Sequence, residues 1–258
     1  MSLVELELGE VSQLTLNDPP LNLVSAGLLS ALETALARLQ AAAPADVRAV
    51  VITGSGERAF SVGSNVKEFE AHRGPQGRAR FELEARVAQR LASLAMPTIA
   101  AIEGSALGGG LEIALCCDLR IAGESAQLGL PEVRLAVTPG TGGTQRLPRV
   151  VGLARAKELL LTGRILSARE AERMALVNEV VPAGGAVDRA REIGAEIAER
   201  GPLAVREVKA LVDRALDTTL EEGHDAEVEA SVRIFATQDM LEGAQAFREK
   251  RNPHYKGR

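Results

Sequence analysis

The sequence predicts an α/β fold, in which a core of strands and helices is followed by a helical C-terminal region. Apolar runs at residues 47–53 and 98–103 have the length and composition of buried strands. Each run leads into glycines and then towards a segment with helical spacing, so the middle of the chain repeats strand, glycine turn and helix. From residue 186 the pattern is helical almost to the end.

The first 70 residues begin with a hairpin. Residues 3–8 and 11–16 alternate apolar and polar side chains around a Gly-Glu turn. Ser25 is placed to cap a helix that runs to Gln40, with leucines at 28, 29, 32, 36 and 39 on one face. After the strand at 47–53, residues 59–69 predict a short apolar segment, a glycine turn and the start of a helix.

The middle of the chain continues the pattern. Residues 74–77, Gly-Pro-Gln-Gly, predict a mobile surface loop. A helix over residues 79–95 follows, and its predicted apolar face is Phe81, Leu83, Val87, Leu91 and Leu94. Beyond the strand at 98–103, residues 118–122 and 126–130 predict two more strands.

The last third of the chain is mainly helical. A second glycine-rich loop at 139–143 precedes a helix over 154–161, and Ser167 with Glu170 forms a capping-box pattern for a helix ending near Leu176. Residues 177–181 predict a strand. In the helical tail, breaks are expected at 201–202, at Gly223 and at 252–253. The tail packs either on its own domain or on a neighbouring subunit.

Composition excludes several classes of function. The 258 residues suit one large domain, or one domain with an appended subdomain, and are enough to bury a substantial core. The net charge of −5 and the aromatic content of 2% argue against nucleic-acid or anionic-membrane binding. No apolar stretch is long enough for a membrane span, and the N-terminus lacks a signal-peptide pattern, so we expect a cytoplasmic protein.

Metal and thiol chemistry are also not expected. Cys116 and Cys117 are adjacent within an apolar run, which favours small buried side chains. The histidines at 72, 224 and 254 are scattered, and we expect His72 and His224 on the surface. No cysteine and histidine spacing typical of a metal site is present, so no metal is predicted.

Residues 104–132 carry the strongest functional signal. Three glycines, 108–110, run into an apolar segment that begins with Glu112, and Glu132 follows a strand and a proline. A helix that starts at such a turn directs free N–H groups and the positive end of its dipole at a ligand. Two carboxylates converging there would supply an acid and a base. The alternative is a tightly packed turn with Glu112 as a helix-dipole partner.

Two nucleotide-binding motifs are excluded at the triple glycine. A P-loop is excluded because no Gly-Lys-Ser/Thr follows the glycines. No dinucleotide fingerprint with a suitably placed acidic residue opens there either.

The motifs together resemble the crotonase family, the enoyl-CoA hydratase/isomerase superfamily, over nearly the whole chain. They are Ala-Phe-Ser-Val-Gly at 59–63, the stretch 97–112 that contains the triple glycine, Cys-Asp-Leu-Arg-Ile-Ala at 117–122, Leu-Pro-Glu at 130–132 and Pro-Gly-Thr-Gly-Gly-Thr-Gln-Arg-Leu at 139–147. Their order and spacing make the similarity specific. It implies a spiral core of ββα units over residues 1–195, a helical trimerisation region over 196–258, and a homotrimer or a dimer of trimers.

The resemblance also implies a site and a reaction. The thioester carbonyl of an acyl-CoA would accept hydrogen bonds from the backbone N–H groups of Ser64 and Gly109. Glu112 would be the general base on water and Glu132 the proton donor, which favours hydration of a trans-2-enoyl-CoA to a 3-hydroxyacyl-CoA, because isomerase-like members often keep only the second glutamate. Gly140 would help to place the water or Glu132. No cofactor is implied, since the CoA thioester is the substrate.

The chain departs from the family pattern at the predicted oxyanion hole. Ser64-Asn65 stands where Ala-Asp is common, which keeps the backbone N–H and lowers the local negative charge. Residues 17–22 lack the basic residue that many members place near the CoA phosphates. Other candidate contacts with the substrate or CoA are Val62, Lys67, Phe247, Lys250 and Arg251. For these the alternatives are solvated charges and, for Phe247, a buried aromatic side chain.

Two other functions compete with hydration. The first is another reaction of the same family, such as double-bond isomerisation or dehydration of a specialised hydroxyacyl-CoA, which the same oxyanion hole would serve. The second is a non-catalytic acyl-CoA-binding protein, against which the presence of both Glu112 and Glu132 argues.

Overall fold

The computed structural model describes residues 2–258, except for the side chain of Gln76. Its strands are β1 (Val4–Glu7), β2 (Val11–Leu16), β3 (Ala49–Gly54), β4 (Ala59–Ser61), β5 (Thr98–Ile102), β6 (Ser105–Leu107), β7 (Leu119–Gly123), β8 (Gln127–Gly129), β9 (Ile165–Ser167) and β10 (Glu179–Val181). Its α-helices are α1 (Ala26–Gln40), α2 (Arg78–Ala92), α3 (Gly109–Ala114), α4 (Gly143–Val151), α5 (Leu153–Thr162), α6 (Ala168–Arg173), α7 (Ala186–Ala198), α8 (Pro202–Arg214), α9 (Leu220–Phe235) and α10 (Gln238–Glu249).

The strands form two sheets that the chain visits alternately. The larger sheet has the order β1-β2-β3-β5-β7-β10 and is parallel except for the β1–β2 hairpin. The smaller sheet has the order β4-β6-β8-β9, with β9 antiparallel to β8. The pairs β3–β4, β5–β6 and β7–β8 each place one strand in each sheet before the chain turns back. This confirms the predicted α/β spiral of ββα units.

The N-terminal predictions are confirmed in detail. Val4 pairs with Leu16 in the hairpin, and α1 begins after Ser25, whose side chain accepts a hydrogen bond from the Leu28 N–H at 3.1 Å. All five predicted leucines of α1 are buried. The predicted capping box of α6 is also present, with Ser167 and Glu170 bonded reciprocally. Cys116 and Cys117 are both free and buried.

Helix α2 differs from the amphipathic pattern that the sequence predicts. Phe81 is 49% exposed, whereas Arg80 and Glu84 are buried. The reason is that α2 packs on the apolar core along Val87 and Leu91 and lines a cavity with its first turns. Residues 74–77 form a short 3-10 helix rather than a loop, and another 3-10 helix covers Val66–His72.

Several predicted boundaries are wrong. Gly223 lies inside α9, because the capping box of Thr219 and Glu222 starts the helix before it and the break falls at residues 215–219. Helix α6 ends at Arg173, before Leu176. The sequence analysis missed β6 and β9, whose three residues are too few for a period-two pattern.

The C-terminal helices divide into a packed one and an exposed group. Helix α7 covers the larger sheet, where Ala186 and Ala190 join a buried cluster with Val51, Ile99 and Ile121. Helices α8–α10 leave large apolar side chains more than half exposed, namely Val208, Val212, Leu220, Val228, Val232, Phe235, Leu241 and Phe247. The predicted boundary between residues 195 and 196 stays a prediction. Within residues 2–258, no helix combines the length and the apolar character that crossing a membrane requires.

Candidate active site

A cavity of about 590 Å³ is lined by residues from four segments of the chain, within 62–73, 80–84, 108–112 and 131–141. Its wall includes the residue after the turn at Gly63, the N-terminus of α3, the 3-10 helix of Glu132–Leu135 and the second glycine-rich loop. Glu112 and Glu132 both line it, as do Ser64 and Gly109. The fold therefore brings together the four residues that the sequence analysis placed at the chemistry.

Glu112 is fixed in the wall by the second glycine-rich loop. It lies in the first turn of α3 and is 2% exposed. Its Oε1 accepts hydrogen bonds from the backbone N–H groups of Thr141 at 2.8 Å and Gly143 at 2.7 Å. Burial raises the pKa of this carboxyl, the two N–H groups oppose that shift, and the charge of Glu84 adds to it. Such a carboxylate is held in one orientation and is a stronger base than an exposed one.

Glu132 differs from Glu112 in its hydrogen bonding. It begins the 3-10 helix after Pro131, and its Oε2 is buried without a hydrogen-bond partner in the described part of the chain. Burial raises the pKa of Glu132 to about 7, and the neighbouring Glu112 contributes to the shift. Near neutral pH this group is therefore distributed between its protonated and ionised forms, which suits a proton donor.

Two glycines allow the loops of the site to approach each other. Gly63 has φ of +81°, and a Cβ there would lie 2.8 Å from the backbone N of Gly109. Gly108 has φ of +53°, and a Cβ there would lie 3.3 Å from Oε1 of Glu132. The absence of side chains at both positions lets the N-terminus of α3 meet the turn after β4 and the second carboxylate.

The predicted oxyanion donors lie at this junction. Gly109 is the first residue of α3, so its N–H has no acceptor within the helix. Neither this N–H nor that of Ser64 donates a hydrogen bond to another described residue. The peptide group between Gly63 and Ser64 is held at its carbonyl oxygen, which accepts a hydrogen bond from the Val24 N–H at 2.9 Å. A carbonyl oxygen or an anion would need two such N–H donors on one cavity wall, and that these two act as an oxyanion hole stays a prediction.

The remaining predicted residues fall into two groups. Val62 and Gly140 line the cavity. Lys67, Phe247 and Lys250 are exposed and lie outside the part of the cavity wall that the described residues form. Their contact with CoA stays a prediction, although the alternative of a buried aromatic at Phe247 is wrong, since that side chain is 86% exposed.

Three details add to or correct the sequence analysis, and two of them, at Asn65 and His72, lie in the cavity wall. Arg251 forms ion pairs with Glu242 at 2.6 Å and with Glu249 at 2.6 Å, which raise the pKa of its guanidinium. Asn65 caps the following 3-10 helix by accepting from the Lys67 N–H at 3.1 Å. His72 was expected on the surface but is half-buried in the cavity wall.

A buried ion pair in the cavity wall was missed by the sequence analysis. Arg80 Nε donates to Oε1 of Glu84 at 2.8 Å, and both residues line the cavity. Arg80 Nη2 donates to the backbone carbonyl of Val24, while Nη1 has no acceptor among the described residues. Opposite charges four residues apart usually indicate an exposed helix face, so nothing in the spacing distinguishes this pair from Arg78 and Glu82 on the same helix.

Comparison with known proteins shows the family to which the chain belongs. The sequence pattern of the enoyl-CoA hydratase/isomerase family matches residues 7–258. The chain belongs to that family. Among its relatives, YngF of Bacillus subtilis, named as an enoyl-CoA hydratase/isomerase, is 44% identical over 245 residues, which cover 95% of this chain and 94% of YngF. The short-chain-enoyl-CoA hydratase of Clostridium acetobutylicum is 38% identical over 94% of this chain and 93% of its own.

A solved structure of the enoyl-CoA hydratase/isomerase family supports the fold. The crystal structure of an enoyl-CoA hydratase from Bacillus anthracis superposes with a TM-score of 0.95 at 42% identity, covering 99% of this chain and all of that one. The resemblance seen in the motifs is thereby confirmed, and with it the crotonase-like spiral.

Proposed function

We propose that this enoyl-CoA hydratase/isomerase family member hydrates trans-2-enoyl-CoA thioesters to 3-hydroxyacyl-CoA. The observation that carries the proposal is that the buried carboxylate of Glu112 and the half-buried one of Glu132 line one cavity, together with Ser64 and Gly109, whose N–H groups donate to no other described residue. A relative named short-chain-enoyl-CoA hydratase adds support. Hydration needs both a base and an acid, whereas moving a double bond needs one group that carries a proton between two carbons.

The proposed reaction uses each group once. Glu112, whose Oε1 is occupied by the Thr141 and Gly143 N–H groups, takes a proton from water through its other oxygen. The water oxygen bonds to C3 of the enoyl group, and the electron pair of the double bond moves onto the thioester oxygen. The N–H groups of Ser64 and Gly109 stabilise this enolate. Glu132 then gives its proton to C2. The proton that Glu112 took from water passes to Glu132, directly or through solvent, so that both carboxyls regain their starting forms.

No cofactor enters this scheme, because the thioester that activates the double bond is part of the substrate. We propose that Lys67 contacts the CoA phosphates of the substrate. Phe247 and Lys250, at the exposed end of α10, are proposed to contact the CoA of a substrate bound in this chain or in a neighbouring copy. Gly140, in the cavity wall beside Thr141, is proposed to help to place the water.

We also propose that helices α8–α10 form the contact between subunits of a homotrimer or a dimer of trimers. The support is the group of exposed apolar side chains on these helices, which a monomer would leave in water. The acyl-chain length of the substrate and the cytoplasmic location are left as predictions.

A spectrophotometric assay tests the proposed reaction. The purified protein is mixed with crotonyl-CoA, and loss of the conjugated enoyl-thioester absorbance is followed, with the product identified by mass. We expect rapid loss and a product heavier by one water. Turnover of a 3-enoyl-CoA to the 2-enoyl isomer without hydration would replace the proposal by isomerisation. Binding of CoA esters without turnover of either substrate would indicate a binding protein.

A further inference from the structure

We propose that Arg80, held by Glu84, is a positioning residue for the oxyanion hole and acts through Val24 on the Ser64 N–H. The inference rests on the proposed function, because it assigns a task to a pair beside the proposed thioester site. Arg80 itself need not touch the substrate. Its task is to fix the direction in which one of the two donors points.

A short series of hydrogen bonds connects Arg80 to Ser64. The Ser64 N–H and the Gly63 carbonyl belong to one planar peptide group, so whatever orients the carbonyl also orients the N–H. The Gly63 carbonyl accepts from the Val24 N–H at 2.9 Å. The Val24 carbonyl in turn accepts from Arg80 Nη2, and Nε of the same guanidinium is bonded to Glu84 at 2.8 Å.

The peptide at Gly63 needs such external support. Gly63 has φ of +81° and no side chain, so its own backbone preference does not select one orientation of the following peptide. Val24, Arg80 and Glu84 are respectively 3%, 9% and 5% exposed. Hydrogen bonds removed from water in this way are strong and directional. The planar fork of Arg80 can hold Val24 and Glu84 simultaneously, which a lysine ammonium would do less rigidly.

The composition of the pair favours a role in the site over a role in stability. A buried ion pair is a weak source of stability, and two apolar side chains of similar size often serve as well. Here Nη1 of the guanidinium has no acceptor in the part of the chain that the structure describes, which is unfavourable for a buried donor. The contact with Val24 accounts for a buried arginine at the start of α2, where packing alone would select an apolar residue.

The chemical consequence is specific to the transition state. An oxyanion donor is effective when it lies within about 2.7–3.1 Å of the oxygen that becomes negative. Loss of the support from Arg80 lets the Ser64 N–H turn away, which weakens stabilisation of the enolate more than binding of the neutral thioester. We therefore expect a lower kcat with a nearly unchanged KM.

The test compares the double variant Arg80→Met/Glu84→Met with the wild-type protein. Removing both partners leaves no unpaired buried charge. The matched control is Arg78→Met/Glu82→Met, which removes an exposed pair of the same spacing from the same helix. We expect a fall in kcat of about 10- to 100-fold for the buried pair, with KM on crotonyl-CoA within about twofold, and no change for the control.

A spectroscopic measurement separates positioning from general damage. The infrared stretch of ¹³C-labelled thioester carbonyl in bound butanoyl-CoA, which has no double bond to hydrate, reports the strength of its hydrogen bonds. We expect a shift to lower frequency in the wild type and the control, a smaller shift in the double variant, and partial recovery in Arg80→Lys. If the double variant does not fold, Arg80→Lys is measured in its place, and we expect a smaller shift in Arg80→Lys than in the wild type.

Two outcomes would overturn different statements. A wild-type shift that both Arg80 variants retain in full would remove the positioning role and leave the proposed function intact. A wild-type protein that binds butanoyl-CoA with no shift would remove the oxyanion hole itself, and with it the proposed mechanism.

Discussion

Oε1 of Glu112 lies 2.7 Å from the backbone N of Gly143, and this hydrogen bond joins the two glycine-rich motifs of the chain. A Cβ at Gly143 would lie 3.0 Å from the same oxygen, so the approach depends on glycine. The proposed base is thus oriented by backbone N–H groups about thirty residues further along the chain. Within residues 2–258 as described, Oε2 of Glu132 has no such hydrogen-bond partner, and this contrast underlies the different roles proposed for the two carboxylates.

Replacing either carboxylate by its amide tests those roles directly. Glu112→Gln and Glu132→Gln keep the side-chain shape, so we expect folded proteins whose kcat on crotonyl-CoA falls by about 10²- to 10⁴-fold. Glu124→Gln, at an exposed position, is the control and should keep full activity. Wild-type turnover in either cavity variant would show that the residue has no acid or base role.

The pH dependence of activity follows from the pKa of Glu132. Burial raises this pKa from 4.5 to about 7. In the proposed mechanism the protonated form is the one that donates to C2. We therefore expect kcat/KM to decrease as the pH rises through about 7, and to decrease again towards acid pH as Glu112 becomes protonated. The measurement is a kcat/KM profile on crotonyl-CoA. If kcat/KM stays about constant from pH 6 to 9, the assignment of Glu132 as the proton donor is contradicted.

Gly108 is expected to be intolerant of a side chain. The Gly108→Ala variant meets both a positive φ of +53° and a contact of 3.3 Å with Oε1 of Glu132. Gly56→Ala is the matched control, since Gly56 has φ of +77° and open space around its missing Cβ. Each variant should lose at least about 1 kcal/mol of unfolding free energy from backbone strain. Only Gly108→Ala should also lose about tenfold or more in kcat, because its methyl group displaces the carboxylate.

Denaturant unfolding and steady-state kinetics on both glycine variants provide this comparison. Equal kcat values for the two variants would show that the contact between Gly108 and Glu132 is unimportant for turnover.

The proposed subunit contact is tested on helix α9. Val228 and Val232 lie four residues apart on one helix face and are 60% and 63% exposed. The variant Val228→Glu/Val232→Glu should dissociate towards the mass of a single chain in light scattering, because charges are unfavourable in an apolar contact. Leu8→Glu, at an apolar residue 53% exposed at the end of the hairpin strand, is the control and should keep the wild-type mass. A wild-type protein that is monomeric at all concentrations would contradict the proposal.

Much of the secondary structure was predictable because local patterns determine it. The capping serines at 25 and 167, the leucine spacing of α1 and the apolar runs of β3 and β5 act over a few residues, and the structure confirms each of them. The prediction failed where an element is short, as in β6 and β9, or where a tertiary contact changes which face of a helix is buried, as in α2.

The sequence by itself determined the family, because the order and spacing of its motifs can be read along the chain. The spiral fold followed from that family resemblance, and the same motifs contain the two carboxylates that line the cavity. Only the tertiary structure decided which groups surround them. Thr141 and Gly143 reach Glu112, and Arg80 reaches Val24, across large separations in sequence. The physical reason is that burial and hydrogen-bond geometry depend on the packed elements together. The same spacing of arginine and glutamate is therefore exposed at residues 78 and 82 and buried at 80 and 84.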